Sequence, residues 1–256
     1  MIKSMKIDVC IPTYQSANCI GESLDALNRS EAKSDSVHIS SLIIINKGGK
    51  ERLLKILNKK CDEYSWNLTF KSGRYSLPQA RWLCIKEVNE DWFLFLDDDV
   101  RVGPQYLTSQ IKCIAPLVGA VQGKKVSSSD DPSIWLPKRS YRGGTHATLI
   151  KTQLVKDIKF PDDLHVLEDQ YLRMHIVENG MLWIFNRIAV FEHDNQERHD
   201  VDFQQGYLAS KYKLLPFHYF ILLLLSSKSP QEVYSRVWAL AGWIKSSLIV
   251  ENRYDI

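Results

Sequence analysis

The stretch WFLFLDDDV at residues 92–100 decides the fold. It begins with five apolar or aromatic residues, too few for a helix, and this composition indicates a strand buried on both faces of a parallel sheet. Asp97, Asp98 and Asp99 follow directly. Because ligands of open α/β sheets bind beyond the carboxyl ends of the strands, the three acids stand where a ligand would lie.

The acid triplet has two interpretations. Three adjacent carboxylates repel one another unless a cation or donor groups neutralise them, and divalent ions such as Mg²⁺ or Mn²⁺ prefer carboxylate oxygens. This chemistry predicts a metal and phosphate site. Alternatively, the acids cap a helix that is predicted to begin near Pro104 and to end at about Leu117. The remaining sequence decides between the two.

Composition bounds the class of protein. The chain has 256 residues, 45% of them hydrophobic, which is enough for a sizeable core. Its net charge is only +3, with basic and acidic residues interspersed, so we expect no nucleic-acid partner. Five cysteines without CxxC spacing predict reduced thiols, and no secretory segment precedes the first predicted strand, so we expect a cytoplasmic protein.

Strand and helix patterns alternate before the acid triplet. Strands are predicted at residues 7–11, 37–45 and 66–70, and a helical pattern follows each. Ser76 and Gln79 have the spacing of a capping box that begins the third helix. This alternation predicts right-handed crossovers and an α/β fold, with a mostly parallel sheet flanked by helices.

The rhythm is less regular after the triplet. Strands are predicted at 118–122, 145–150, 181–185 and 188–191, and a polar loop at 127–133. Gly143 and Gly144 let a backbone approach a ligand or another strand closely, or mark a simple bulge. Glu168 and Asp169 open a predicted helix, where acids also complement the helix dipole.

The carboxy-terminal region is predicted to be a helical hairpin. Residues 214–225 are the most apolar of the chain but too few to span a bilayer, and the helix after them is apolar on one side. The hairpin, at 206–256, would pack on the preceding domain, or its residues 214–250 would form a homodimer surface or bind a membrane surface.

Three segments together resemble the family 2 glycosyltransferases of the GT-A fold. They are DVCIPTYQSANCIGESLDAL, LPQARWLCIKEVNEDWFLFLDDDV and GGTHATLIKTQLVKDIKFPDDLHVLEDQYLRMHIVENG. They are similar, in order and spacing, to the family's nucleotide loop, its alanine-arginine helix with the DxD strand, and its acceptor-side glycines with the ED motif. The resemblance implies a Rossmann-like GT-A domain at 1–205, with a nucleotide-binding half at 1–100 and an acceptor half at 101–205.

The resemblance implies a site for a nucleoside-diphosphate sugar of UDP or GDP type. Pro12, Thr13 and Tyr14 would border the nucleobase, and Arg81 would lie in the same pocket. Asn46 stands where the family usually has an aspartate, so it can accept a hydrogen bond but carries no charge. Trp82 and Gln15 also stand where the family usually has asparagines. These differences affect the expected nucleobase specificity more than the expected reaction.

The resemblance also implies a metal site for Mn²⁺ or Mg²⁺. Asp99 would ligate the ion bound to the diphosphate, while Asp97 would face the ribose and donor sugar beside it and Asp98 would complete the donor site. His193 matches a histidine that completes the metal site in some members, although a core histidine at a strand end is the alternative.

The reaction implied is a single displacement that inverts the anomeric carbon. Asp169, in the ED pair with Glu168, would be the general base, and Gly143 and Gly144 would lie on the side of a glycan or lipid-linked acceptor. The enzyme would work in the cytoplasm or at the cytosolic membrane face.

Two other functions remain open at this point. The strand and DxD pattern also resembles haloacid-dehalogenase-type phosphatases, but Arg101 stands where that motif has Thr or Val, and three predicted strands precede it. The other alternative is a non-catalytic GT-A-like domain that binds glycans or a partner protein.

Overall fold

The computed structural model describes residues 4–126, 143–193 and 202–251, so the predicted loop at 127–133 lies outside the described residues. The chain forms two compact units. The first contains the sheet and comprises 1–129, 144–160 and 175–194. The second comprises 130–143, 161–174 and 195–256, and it includes more than the predicted hairpin at 206–256. A functional boundary at residue 205 stays a prediction.

One mixed sheet of eight strands forms the first unit within the described chain. The strands are β1 (Met5–Tyr14), β2 (Val37–Lys47), β3 (Asn67–Ser72), β4 (Trp92–Leu96), β5 (Val100–Val102), β6 (Val118–Lys125), β7 (Ala147–Lys151) and β8 (Leu182–His193). Their order is β3-β2-β1-β4-β7-β6-β8-β5. The pairs β1/β2, β1/β4, β2/β3 and β6/β8 are parallel, and β4/β7, β5/β8 and β6/β7 are antiparallel. The predicted α/β class is confirmed, with the parallel strands concentrated in the amino-terminal half.

The helices flank this sheet or form the second unit. They are α1 (Ile20–Ala32), α2 (Glu51–Tyr64), α3 (Leu77–Glu87), α4 (Tyr106–Ile111), α5 (Glu168–Glu178), α6 (Asp202–Lys211), α7 (Phe217–Leu225) and α8 (Pro230–Glu251). The capping box of α3 is confirmed: the Ser76 hydroxyl accepts from the Gln79 amide, and the Gln79 side chain accepts from the Ser76 amide. Within the described part of the chain, no helix is both long and apolar enough to cross a bilayer.

Two predicted elements differ from the structure. Helix α4 ends at Ile111 rather than near Leu117. Pro116 disfavours helical backbone at the residue before it and removes a donor, which explains why the helix does not reach Leu117. The predicted strands at 181–185 and 188–191 form one strand, β8. The side-chain oxygen of Asn186 accepts from the amides of Ile188 and Ala189, and this local turn lets the strand continue beyond an irregularity.

Strand β4 lies at the centre of the sheet, between β1 and β7. All five of its residues are buried, as the sequence predicts, and Phe93 and Phe95 contact each other edge to face. Full burial of each such side chain stabilises a fold by about 1.5–3 kcal/mol. The acid triplet therefore follows a strand whose position is fixed by the core.

Glycines set the packing of the second unit. A Cβ atom on Gly206 of α6 would lie 1.6 Å from the carbonyl oxygen of Ala239, and one on Gly242 of α8 would lie 2.1 Å from that of Phe203. The two helices therefore touch backbone to backbone. Helix α7 packs on α8 through Phe217 and Trp243, whose ring centroids are 5.1 Å apart.

Candidate active site

Asp97 is anchored from three directions at the end of β4. Its backbone amide donates to the carbonyl of His146, at 2.8 Å, because β4 pairs with β7. The Arg81 guanidinium, buried on α3, donates to one carboxylate oxygen at 3.2 Å, and His146 Nδ1 lies 2.5 Å from the other. Burial raises the pKa of Asp97, but the charge and hydrogen bond of His146, with the charges of Arg81 and His193, outweigh it and hold that pKa well below its usual range.

His193 brings a second imidazole to Asp97. Asp97, His146 and His193 each offer a ligand atom, and these atoms all lie within 4.8 Å of one another. His193 Nε2 also lies 3.2 Å from Asp99 Oδ1, since β5 pairs with β8 immediately after the triplet. Imidazole is a ligand for transition ions, and carboxylate is one that Mn²⁺ prefers, so this mixed set suits a divalent transition ion. Of the three predicted metal residues, Asp97 and His193 lie in this cluster with His146, whereas Asp99 lies beside it through its contact with His193.

His146 was not identified as a site residue from the sequence. It lies in the glycine-pair segment, two residues after Gly144. Its position depends on the antiparallel pairing of β7 with β4, two strands that are about fifty residues apart in the sequence. Such a pairing produces no pattern in the residues around His146. Only a prediction that β7 pairs with β4 could have identified His146 as a site residue.

Asp98 fastens the loop between β1 and α1. Its carboxylate accepts a short hydrogen bond from the Ser16 hydroxyl and one from the Tyr14 amide at 3.3 Å, while the Ser23 hydroxyl donates to its carbonyl at 2.9 Å. Burial raises the pKa of Asp98 to about 6, against the hydrogen bond from Ser16, and the neighbouring charge of Asp97 adds to the rise. The structure therefore gives Asp98 a positioning role; its contact with a nucleotide stays a prediction.

Asn46 is fully buried and engaged at the ends of three strands. Its oxygen accepts from the Thr13 hydroxyl at 3.0 Å, and its nitrogen donates to the Gly48 carbonyl and the Ser72 hydroxyl, both at 3.2 Å. An aspartate could not donate the last two bonds. Asn46 therefore holds β1, β2 and β3 together.

A cleft of about 650 Å³ opens beyond the carboxyl ends of β1 and β2. It lies between the loop at 15–17 and the segment at 48–52. Pro12 and Thr13 are buried at the end of β1, whereas Tyr14 is 59% exposed and has the Lys47 ammonium 5.5 Å from its ring centroid. The exposed ring offers a flat apolar surface on the side of the sheet where ligands bind.

The ED pair belongs to the second unit. Glu168 is buried and Asp169 is partly buried in the first turn of α5, directly after Leu167, whose φ of 65° is left-handed. The Gly143 amide donates to the Gln170 side chain at 2.7 Å, and a Cβ atom there would lie 3.0 Å from the Asp169 carbonyl oxygen. The close approach expected at Gly143 is therefore to a helix.

Gly144 is bound in the first unit. Its amide donates to the Gln122 side chain at 3.1 Å, and its carbonyl accepts from the Thr148 hydroxyl. The acceptor-side roles of Gly143 and Gly144 and the catalytic roles of Glu168 and Asp169 stay predictions.

The α/β sheet carries a carboxylate and histidine cluster at the end of its central strand, and comparison with family models assigns this arrangement to the glycosyltransferases. The chain matches the family model described as Glycosyl transferase family 2 over residues 8–169, and it belongs to that family. The matched region begins in β1 and ends at Asp169 of the ED pair. No curated protein matches the chain.

Solved structures share this fold. The mannosyltransferase PcManGT from Pyrobaculum calidifontis, in complex with GDP-Man and Mn²⁺, is similar with a TM-score of 0.66 at 16% identity, over 97% of this chain and 76% of that one. TarS 1–349 of S. aureus, with UDP-GlcNAc, gives 0.65 at 18% identity over 94% and 72%. Glucosyl-3-phosphoglycerate synthase from Mycobacterium tuberculosis, with Mn²⁺, UDP and phosphoglyceric acid, gives 0.54 at 13% over 75% and 72%. At these identities the likeness establishes the fold.

Proposed function

We propose that this protein transfers a sugar from a nucleoside-diphosphate sugar to an acceptor hydroxyl, with a divalent ion and with inversion of the anomeric carbon. The observation that carries the proposal is the cluster of Asp97, His146 and His193 at the end of β4. Neighbouring folds that hold GDP-Man with Mn²⁺, or UDP with Mn²⁺, support it. Membership of the glycosyltransferase family disfavours the phosphatase alternative.

The residues at the cluster fit a divalent ion. Asp97, His146 and His193 would hold a divalent transition ion such as Mn²⁺, with Asp99 beside His193 as a further carboxylate ligand. When bound, the ion neutralises charge on the diphosphate leaving group. Arg81 fixes one oxygen of Asp97, so that the other is presented to the cluster.

The donor would bind in the cleft between 15–17 and 48–52. Tyr14 would stack on the nucleobase, while Asp98 and Asn46 hold the two loops that border it. UDP and GDP are the donor nucleotides that the neighbouring structures favour.

Asp169 would take the proton from the attacking acceptor hydroxyl, with Glu168 beside it. A single base and a single displacement invert the anomeric carbon. The left-handed backbone at Leu167, immediately before the pair, supports a functional role, because such strain is concentrated at active sites.

The experiment is a thermal-shift panel of UDP, GDP, CMP and dTDP, each with and without Mn²⁺. We expect one nucleotide to stabilise the wild type only with Mn²⁺, by about 2.7 kcal/mol at a hundredfold excess over its dissociation constant. Asp99→Ala and His146→Ala should lose this shift, whereas His38→Ala, which removes an exposed histidine from β2, should keep it. The absence of a shift with every nucleotide would overturn the donor site. Normal turnover by Asp169→Asn would remove that residue as the base.

An exposed apolar arc on α8 supports attachment to a membrane surface, and an interface in a homodimer is the alternative. Val233, Val237, Ile244 and Leu248 are exposed on this arc, and the exposed rings of Tyr234 and Trp238 extend it. Aromatic rings of this kind are enriched at membrane interfaces. Co-sedimentation with anionic liposomes supports attachment; a concentration-dependent dimer without liposome binding supports the alternative.

A further inference from the structure

A cavity of about 400 Å³ in the second unit combines positive charge with an apolar wall. Arg173 of α5 and Lys213, which follows α6, supply the charge. Leu214, Leu215, Pro216 and Trp243 supply most of the wall. Among the described residues that line the cavity, none is acidic.

The neutral polar groups of the cavity are engaged by the protein itself. The Gln170 side chain donates to the Leu214 carbonyl at 2.9 Å, and the Trp243 indole donates to the Leu215 carbonyl at 3.1 Å. The Ser210 hydroxyl lies 2.9 Å from that of Ser247. These bonds fix the shape of the cavity, and Arg173 and Lys213 give its lining a positive charge.

Lys213 adopts an unfavourable backbone conformation. Its φ is 53°, in the left-handed region, at the end of a helix where glycine is the preferred residue. The Leu214 amide closes the helix end by donating to the Ala209 carbonyl at 2.8 Å. A lysine here costs free energy that glycine would not, which indicates a role for its ammonium group.

Arg173 connects this cavity to the ED pair. It lies four residues after Asp169 on α5, so the two side chains emerge from neighbouring positions on one face of the helix. A guanidinium presents five donors in a planar fork that matches phosphate and carboxylate oxygens. An anion in the cavity would therefore lie against the helix that carries the proposed base.

We propose that this cavity binds an anionic group, phosphate or carboxylate, of an amphiphilic sugar acceptor, whose apolar part packs on Leu214, Leu215 and Trp243. The inference rests on the proposed function, since it concerns the acceptor of the same reaction. It identifies Arg173 and Lys213 as residues that select the acceptor and Asp169 as the group that would act on it.

The first test is calorimetric titration of the full chain with n-octyl phosphate, inorganic phosphate and 1-octanol, without nucleotide or metal. We expect octyl phosphate to bind most tightly, because it satisfies both the cations and the apolar wall. Inorganic phosphate tests whether the cavity is a site for a small free anion. If inorganic phosphate binds as tightly as octyl phosphate, the proposal of an amphiphilic acceptor is wrong. If 1-octanol binds as tightly as octyl phosphate, the positive charge of the cavity does not contribute to binding and the proposal is wrong.

Variants then locate the binding. Lys213→Gly removes the ammonium and relieves the backbone, so we expect about tenfold weaker binding of octyl phosphate, the effect of one charge-assisted hydrogen bond, with an unfolding temperature that is unchanged or raised. Arg173→Gln should weaken binding similarly. Lys228→Gln, which removes an exposed lysine outside the cavity, should bind like the wild type. Unchanged binding by Lys213→Gly, or an equal loss in Lys228→Gln, would overturn the proposal.

Failure of this inference can be distinguished from failure of the proposed function. If Mn²⁺-dependent nucleotide binding is present and octyl phosphate does not bind, the acceptor inference alone is wrong. If octyl phosphate binds through Lys213 and no nucleotide binds, the donor site is wrong and the anion site stands without it.

Discussion

The end of β4 and the helices α6 to α8 are held in place by different forces. At the end of β4, strand pairing fixes Asp97 and His193, and hydrogen bonds from Arg81 and Ser16 orient the acids. In α6 to α8, two helices touch through glycines, and many apolar side chains of α8 stay exposed. The position of the first region therefore depends on polar side chains. The packing of the second depends on two glycines, Gly206 and Gly242, that have no side chain.

The largest effect is expected for Gly242→Ala. Its new methyl group would lie 2.1 Å from the Phe203 carbonyl oxygen, and neither backbone can yield without separating α6 from α8. Overpacking of this kind costs about 3 kcal/mol. Chemical denaturation of the full chain measures the loss, and proteolysis should then cut within 202–251 first.

Gly21→Ala is the matched control for that variant. Gly21 lies in α1, and a Cβ atom there meets nothing within 4 Å. Alanine in a helix is favoured over glycine by about 0.5–1 kcal/mol, so this variant should be slightly more stable. If both variants behave alike, contact through Gly242 does not hold the helices together.

A smaller effect is expected for Asn46→Asp. The substitution removes two donated hydrogen bonds, to Gly48 and Ser72, and buries a carboxylate in their place. Leaving buried partners unsatisfied costs about 1–3 kcal/mol. Since burial would raise the pKa of the new carboxyl, the loss of stability should be greater at pH 7 than at pH 4.

Asn58→Asp, on an exposed position of α2, controls for the change of charge. Denaturation at both pH values compares the two variants with the wild type. Equal stabilities of Asn46→Asp and the wild type at pH 7 would show that the hydrogen bonds donated by Asn46 do not stabilise the fold. An aspartate would then be equally acceptable at this position.

The sequence predicted those features whose signals are local. The run of apolar residues identified β4, and the spacing of Ser76 and Gln79 identified the start of α3. The order of three motifs identified the family. Each signal lies within a few consecutive residues or in their order along the chain.

Features that depend on distant pairing were missed. His146 reaches Asp97 only because β7 pairs with β4, and the partners of Asn46 lie on β1, on β3 and just after β2. The length of α4 was an exception, since Pro116 lies within the predicted helix and is itself a local signal against helix there. Periodicity reports which face of an element is buried and not which element covers it.

The smallest effect is expected for Asp25→Asn, at a polar contact between α1 and α2. The Asp25 carboxylate accepts from Lys60 at 2.5 Å and Tyr64 at 2.6 Å. Burial raises its pKa, but these two hydrogen bonds outweigh that effect and lower it overall. The side chain is 37% exposed, so the variant should lose less than about 1 kcal/mol at pH 7.

The direction of the pKa shift of Asp25 fixes the pH dependence of this loss. A carboxyl whose pKa is lowered by folding stabilises the protein fully above its unfolded value, near 3.9, and loses that contribution as the pH falls through its folded value. The difference between wild type and Asp25→Asn should therefore shrink between pH 5 and pH 2, while the exposed control Asp62→Asn on α2 shows no such difference at pH 7. A difference that stays constant over this range would mean that the amide loses packing rather than charge, and that α1 and α2 are joined without help from the ion pair.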